Sequence, residues 1–469
     1  MALSTHCNNS TGRRRQVFIL VGAGVFLSTM DSSMVNIALP TLMAQFDASF
    51  NHIRWVVLCY LLAITVSLLF FGMAADRFGA GTIYLVGVGG FVCGSLASAL
   101  AFRLDMLLAC RIVQGLGAAM LMAAGPALIR ELFAPNHLGR GLGLVGIATS
   151  LGLMSGPLVG GILLTYFSWR TIFLVNLPLG LIMLVAGFVL LKGAKPPVAR
   201  PRSLDLKGAL LWAAIIISMV VFLDLAPTFG VISGTFGVVW LGALISYFYT
   251  AEKSGAVNLI PRHLFCAGYY PIGLITAAVS FGVLFMVLLI MPFYLSLIKG
   301  LAPDRMGFVM MAVPVSVGVV GPVAGILHDR FGARLPATSG LLLCGGACML
   351  LAGLSPGHPP LAIGWRLVLL GMGQALFLAP NSASLLGGIS TEDVGITAGL
   401  LATARNLGML VGAAVGAVLL GALFQQLSGG VHLHDFTALQ TPPFMTALKI
   451  TFWVAAAASF GNAALSWRR

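Results

Sequence analysis

Long, nearly uninterrupted apolar runs dominate this chain, separated by short polar stretches rich in Gly, Pro and Arg. Fourteen such runs stand out: about 16–38, 52–74, 82–102, 106–129, 140–165, 170–192, 207–225, 232–251, 268–297, 306–328, 335–354, 361–387, 395–424 and 444–466. Nearly all reach the ~20 apolar residues that a helix needs to cross a bilayer. They are apolar throughout, whereas the strands of a transmembrane β-barrel alternate over about ten residues. The expected fold class is therefore an all-α polytopic membrane protein with 14 transmembrane helices.

Composition leads to the same place. Of 469 residues, 59% are hydrophobic and 8% charged, with a mean hydropathy of +1.01. A soluble domain carries about 25% charged residues, so this chain cannot cover a globular surface with charge, and a soluble enzyme is excluded. The formal charge of +13 lies between the apolar runs, where topology signals sit, and not in a nucleic-acid-binding patch. With the N-terminus inside and the runs alternating, 17 of the 26 Lys and Arg residues fall on the inner side and 7 on the outer. Arg111 and Arg405 fall within runs. This asymmetry predicts that both termini are cytoplasmic.

The first 15 residues are polar, and the run from Gln16 to Pro40 is too long for a signal-peptide core. A retained first span is expected. The cysteines in the runs (Cys59, Cys93, Cys110, Cys344 and Cys348) read as small packing residues, although Cys344 and Cys348 stand one helical turn apart. His432 and His434 alternate like metal ligands but read as a solvated loop, so no metal is expected. No phosphate-binding Gly-x-x-x-x-Gly-Lys-Ser/Thr stretch is present, so ATP is not expected to drive the protein directly.

An internal repeat organises the chain. Residues 72–81 read GMAADRFGAG and residues 325–334 read GILHDRFGAR, an offset of 253 for the shared pentapeptide. Arg111, Gly115, Gly117 and Pro126 are echoed by Arg366, Gly371, Gly373 and Pro380. Two homologous halves predict an N-terminal six-helix bundle at 1–192 and a C-terminal one at 266–469. Between them, 193–265 would hold a Pro- and Arg-rich cytoplasmic linker and two inserted helices. Repeated halves of this kind are a transporter architecture.

The motifs resemble those of the major facilitator superfamily, in particular its fourteen-helix drug:proton antiporters, over nearly the whole chain. The first run carries Asp31-Ser-Ser-Met-Val-Asn36-Ile-Ala-Leu-Pro40, similar to that subfamily's first-helix signature. Gly72-x-x-x-Asp76-Arg77-x-Gly79 matches the loop motif, and the fourth run has Arg111-Ile-Val-Gln114-Gly115-Leu-Gly117. The fifth has Gly152-Leu-Met-Ser-Gly156-Pro157-Leu-Val-Gly160-Gly161, which looks like the antiporter motif. Trp169-Arg170-Thr-Ile-Phe-Leu-Val-Asn176-Leu-Pro178 resembles the segment after it. The loop motif departs from the family, which usually has two basic residues where Ala80 and Gly81 stand.

Each motif has a physical reading beside the resemblance. Asp31 lies well inside the first run, and an ionised carboxylate there costs about 2.5–3.5 kcal/mol on insertion scales. Desolvation favours the neutral form of a carboxyl group, so one placed here can take up and release a proton. The resemblance links it to proton or cationic-substrate binding. A structural cluster with Ser28, Ser32 and Ser33 is the alternative. Arg111 always keeps its charge and needs carbonyls, Gln114 or an acid on another helix. The resemblance implicates it in proton transfer, and a fixed structural charge is the alternative. Arg405, in the thirteenth run, is a similar case. Gly152, Gly156 and Gly160 with Pro157 would let helices approach closely and form a packing seam between halves. Asp76-Arg77 and Asp329-Arg330 would latch cytoplasmic turns, with Gly79 and Gly332 suited to tight turns. Tyr60, Phe281, Phe285 and Phe377 are candidates to line an apolar substrate pocket.

The expected function is proton-coupled antiport that exports small amphipathic or cationic compounds from a bacterial inner membrane, by alternating access. No cofactor is expected beyond the proton as coupling ion. The expected partners are a small-molecule substrate and the lipid bilayer, with no nucleic acid. A monomer is expected, and an accessory periplasmic partner stays open. Export of an endogenous metabolite, siderophore, amino acid or lipid is the alternative, and a non-transporting scaffold or sensor is the competing class.

Overall fold

A computed structural model describes residues 2–132, 138–191, 204–253, 264, 268–387, 389 and 394–468. The principal helices are α1 (Ala2–Gln45), α2 (Trp55–Phe78), α3 (Ala80–Ala99), α4 (Leu104–Leu132), α5 (Leu138–Tyr166), α6 (Asn176–Leu191) and α7 (Leu206–Lys253). They continue as α8 (Tyr269–Phe293), α9 (Pro303–Met310), α10 (Ala312–Phe331), α11 (Arg334–Ala352), α12 (Pro360–Gly387), α13 (Val394–Leu427) and α14 (Thr441–Trp467). Short helical turns fill several connections, and α8 extends through a π turn at Tyr294–Ile298.

Among the described residues, 12 helical stretches are long and apolar enough to cross a membrane, with α9 and α10 forming one of them. Among the described residues this count is two short of the fourteen expected. The two remaining apolar runs lie within the longer helices α5 and α7, as the apolar stretches Leu151–Tyr166 and Gly237–Ala251.

The repeat seen in the sequence is a repeat in space. Gly79 closes α2 and Gly332 closes α10, both at positive φ (91° and 72°), where a side chain would be strained. A Cβ on Gly115 would meet the Tyr60 carbonyl of α2 at 2.7 Å, and one on Gly371 would meet Ser316 of α10 at 2.8 Å. Gly117 lies against Gly87 of α3, and Gly373 against Gly340 of α11. The arginine-and-glycine helices of the two halves therefore use the same faces against equivalent neighbours. α5 packs along α1 in one half as α13 packs along α8 in the other.

The two halves meet along two equivalent seams, α5 with α9–α10 and α2 with α13. The closest contacts lie at the end of the bundle away from the repeated DRFGA turns. There Gly161 abuts Pro303 and Asp304, and Gly307 abuts the Pro157 carbonyl. The Asp304 N–H donates to Thr165 Oγ1 at 2.9 Å. Phe50 meets Phe293 edge-on at 4.8 Å and also lies against Gly421. A large apolar cluster runs across both halves, and a smaller one sits at the motif end of the C-terminal half around Tyr270, Leu274, Ala337 and Leu400.

The inserted helix α7 leans on the outside of the α2–α13 seam. Trp212 Nε1 donates to the Thr65 carbonyl of α2 at 3.1 Å, and Asp224 forms an ion pair with Arg54, which is buried just before α2. α7 is not a straight rod. Trp240 Nε1 donates to Ser218 Oγ at 3.3 Å, and Gly237 lies against the Phe222 ring. In a straight helix the first pair would stand about 33 Å apart, so the chain doubles back between Phe222 and Gly237. The linker residues 192–203 lie outside the described residues.

Candidate functional site

The N-terminal half is organised around a buried polar knot contributed by four helices. Asp31 of α1, Ser95 of α3, Arg111 and Gln114 of α4 and Asn176 at the start of α6 are all fully buried. Arg111 Nη1 donates to Asp31 Oδ2 at 2.6 Å, forming an ion pair with neither side chain exposed. The same nitrogen donates to Gln114 Oε1 at 2.6 Å, and Arg111 Nε donates to the Val56 carbonyl at 3.1 Å. The guanidinium lies 4.1 Å from the centroid of the Tyr60 ring. Asp31 Oδ1 accepts from Gln114 Nε2 at 2.9 Å and from Asn176 Nδ2 at 2.8 Å. Both amides also donate to Ser95 Oγ, whose proton goes to the Phe173 carbonyl at 2.8 Å.

The sequence dictates much of this. Arg111 and Gln114 are three residues apart and share a helix face. Gly94 brings α3 close enough that a Cβ there would meet the Gln114 backbone at 2.6 Å, which sets Ser95 beside it. An ion pair in a low-dielectric interior survives only where the remaining donors and acceptors are also met. Here they nearly are: Arg111 Nη2 and Asn176 Oδ1 are the buried atoms of the knot without a partner.

This geometry revises the picture of Asp31 as a lone carboxylate. It faces the helices of its own half and is neutralised by Arg111. Ser28, Ser32 and Ser33 do not cap it. Ser28 and Ser33 donate to backbone carbonyls at Val25 and Met30, and Ser32 Oγ has no partner. Tyr60 belongs to the same knot through the Arg111 contact, and its hydroxyl donates to the Ser28 carbonyl at 3.0 Å.

The other candidates are dispersed. Gly152, Gly156 and Gly160 form a seam against α1, where Cβ atoms would strike the Phe26 carbonyl, Ser33 and Met34. Pro157 lies where that helix meets α9. The seam thus lies within the N-terminal half at the three glycines, while Met154, Pro157, Gly161 and Thr165 of the same helix reach the other half. Gly72 faces open space. Asp76 pairs with Arg130 of α4 at 3.0 Å, and both are exposed. Arg77 lies over the Phe78 ring, while Asp329 and Arg330 are exposed. Because exposed ion pairs contribute little, Asp76→Asn should shift stability by less than about 1 kcal/mol in a thermal-unfolding assay.

In the C-terminal half, Arg405 of α13 donates to Ser382 Oγ of α12 at 2.7 Å and lies 5.4 Å from the centroid of the Phe281 ring on α8. Phe285 is buried in the large cluster and Phe377 in the smaller one. Among the described residues no group of three His, Cys, Asp or Glu side chains is placed to hold a metal ion.

Sequence reading missed two features. One is Ser95, which carries no distinguishing motif. The other is a second glycine seam, Gly408, Gly412 and Gly416 of α13 against Ala278, Gly282 and Met286 of α8. Its four-residue spacing was legible.

Two pseudo-symmetric bundles of membrane helices with a buried charged knot describe a transporter, not an enzyme. Comparison with known proteins makes this specific: residues 21–413 and 273–468 match the Major Facilitator Superfamily, and the chain belongs to that family. It is 31% identical over 447 residues to the riboflavin transporter RibZ of Clostridioides difficile (strain 630), covering 95% of each chain. It is 31% identical over 437 residues to the tetracenomycin C resistance and export protein of Streptomyces glaucescens, covering 91% of this chain and 79% of that one. The fold is also that of a bacterial homologue of the human lysosomal transporter Spinster, solved in an inward-facing, unoccupied conformation. The TM-score there is 0.67 at 14% identity, covering 97% of this chain and 96% of that one.

Proposed function

We propose that this protein is a proton-coupled antiporter of the bacterial inner membrane that exports small amphipathic compounds by alternating access. The observation that carries the reading is the fully buried Asp31–Arg111 pair, a carboxyl group beside a permanent cation. The pair is built so that it can part. Arg111 keeps Val56, Gln114 and the Tyr60 ring as partners, and Asp31 keeps Gln114 and Asn176. Protonation of Asp31 then releases Arg111 onto carbonyl and ring partners without leaving it bare, which eases the main cost of breaking a buried pair.

The 17-to-7 charge split puts the DRFGA turns and both termini in the cytoplasm. The tight contacts at the opposite end then correspond to a state closed to the outside. The apolar stretches in α5 and α7, added to the twelve candidate spans, support a fourteen-helix reading of the chain. Relatives named as a resistance and export protein and as multidrug resistance proteins support drug-like cargo. The relative named as a riboflavin transporter favours a second reading, in which the cargo is an endogenous metabolite. Cationic cargo, the other class expected from sequence, loses its main support, because Asp31 is neutralised in place.

The test is dye transport in energised membrane vesicles. Asp31→Asn should bring proton-driven accumulation down to the level seen with a protonophore, while downhill exchange of dye across the membrane continues. Undiminished proton-driven transport by Asp31→Asn would remove this carboxyl group from the mechanism.

A further inference from the structure

Arg111 and Arg405 lie well inside spans and Arg366 near the start of one, and the three are treated differently. Arg111 has a carboxylate. Arg366 has none, but its nitrogens reach the Leu350 and Ala362 carbonyls at 3.0 and 2.6 Å and approach His358. Arg405 has neither. Among the described residues Ser382 is the one acceptor its guanidinium reaches, and its Nε is buried without a partner.

The position is internal. Arg405 stretches from α13 to α12 across Phe281 of α8, and α8 belongs to the most enclosed span of the chain. The residue as a whole is half-buried, while its Nε is sealed from solvent. α8 also packs on α1 and α13 on α2 of the other half, so the side chain lies on helices that adjoin the boundary between the halves. The neighbouring Leu69 of α2, packed on the cluster that includes Leu400 and Leu401, marks where the other half approaches. With Asp31 and Arg111 cancelling, Arg366 and Arg405 are left without a carboxylate among the described residues, and Arg405 is the less satisfied of the two, with one hydroxyl acceptor against two carbonyls. An unpaired desolvated cation is costly, and an unfilled guanidinium fork suits a carboxylate or phosphate.

We propose that Arg405 is an anion-recognition site in the central crevice, and that cargo carries a carboxylate, phosphate or comparable anionic group received by its Nε and Nη1 edge. The proposal rests on the reading that the crevice between the halves is the cargo path, and it names the cargo's charge.

The test measures binding rather than pumping, using fluorescence anisotropy on the purified protein. The probes are 7-diethylaminocoumarin-3-carboxylate, its uncharged carboxamide and the cation ethidium. Wild type should bind the carboxylate more tightly than the amide and ethidium. Arg405→Gln should weaken the carboxylate by about ten-fold or more, the effect of a lost charge-assisted hydrogen bond, and leave the amide nearly unchanged. Arg405→Lys should retain most of the preference. The proposal is overturned if Arg405→Gln keeps the carboxylate preference, or if it loses all three probes equally, as a structural role would require. Should Arg405→Gln fail to yield monodisperse protein, the wild-type order decides: carboxylate first supports the proposal, and any other order overturns it. Anion binding without proton-driven accumulation would sink the antiport reading alone. Proton-driven export that ignores charge would sink this one alone.

Discussion

Asp31→Ala is expected to destabilise the protein by about 3–5 kcal/mol, the usual consequence of removing one member of a buried ion pair. The loss comes less from the missing attraction than from what remains. Arg111 would stay fully buried with its charge intact, and Gln114 Nε2 and Asn176 Nδ2 would lose their carboxylate acceptor. The double variant Asp31→Leu/Arg111→Met should recover most of that stability, because an apolar pair of similar volume removes both charges together. It should not recover proton-driven transport. Thermal unfolding of the detergent-purified variants, with vesicle transport in parallel, separates the two effects. An Asp31→Ala protein as stable as wild type would mean that the pair does not hold the four helices together.

Gly412→Leu should be similarly severe for a different reason. A Cβ at this position falls on the Gly282 carbonyl and Cα, so the obstacle is backbone and cannot rotate away. The two helices would have to separate along the whole Gly408–Gly416 seam. Overpacking typically costs about 1–3 kcal/mol, and here the packing surface of α13 on α8 would be lost as well. The control is Gly346→Leu on α11, where nothing lies within 4 Å of the added carbon. The yield of monodisperse protein should fall sharply for the first and stay near wild type for the second. Equal yields would show that the seam tolerates separation.

The lengths of the apolar runs and the repeated DRFGA pentapeptide carried most of the fold, because spans and turns are local properties. Gly79 and Gly332 were legible as turn residues, since only a residue without a side chain sits easily at their positive φ. Gln114 was legible as a partner for Arg111 from its three-residue spacing. The carboxylate was not, because Asp31 is 80 residues away and the orientation of a helix about its own axis is set by tertiary packing. For the same reason the sequence read Asp31 as solitary. Phe285 and Phe377 illustrate the opposite limit: in a chain this apolar, an aromatic residue carries little information about which surface it faces.

The α7 helix makes the molecule lopsided. One flank, along α2 and α13, is roofed by an extra layer fastened at Thr65 and Arg54. On the other flank α10 presents Val319, Val323 and Ile326 openly. The near-twofold relation of the bundles is therefore not a symmetry of the surface that surrounding hydrocarbon touches, and acyl chains meet two unlike sides of one nearly symmetric machine.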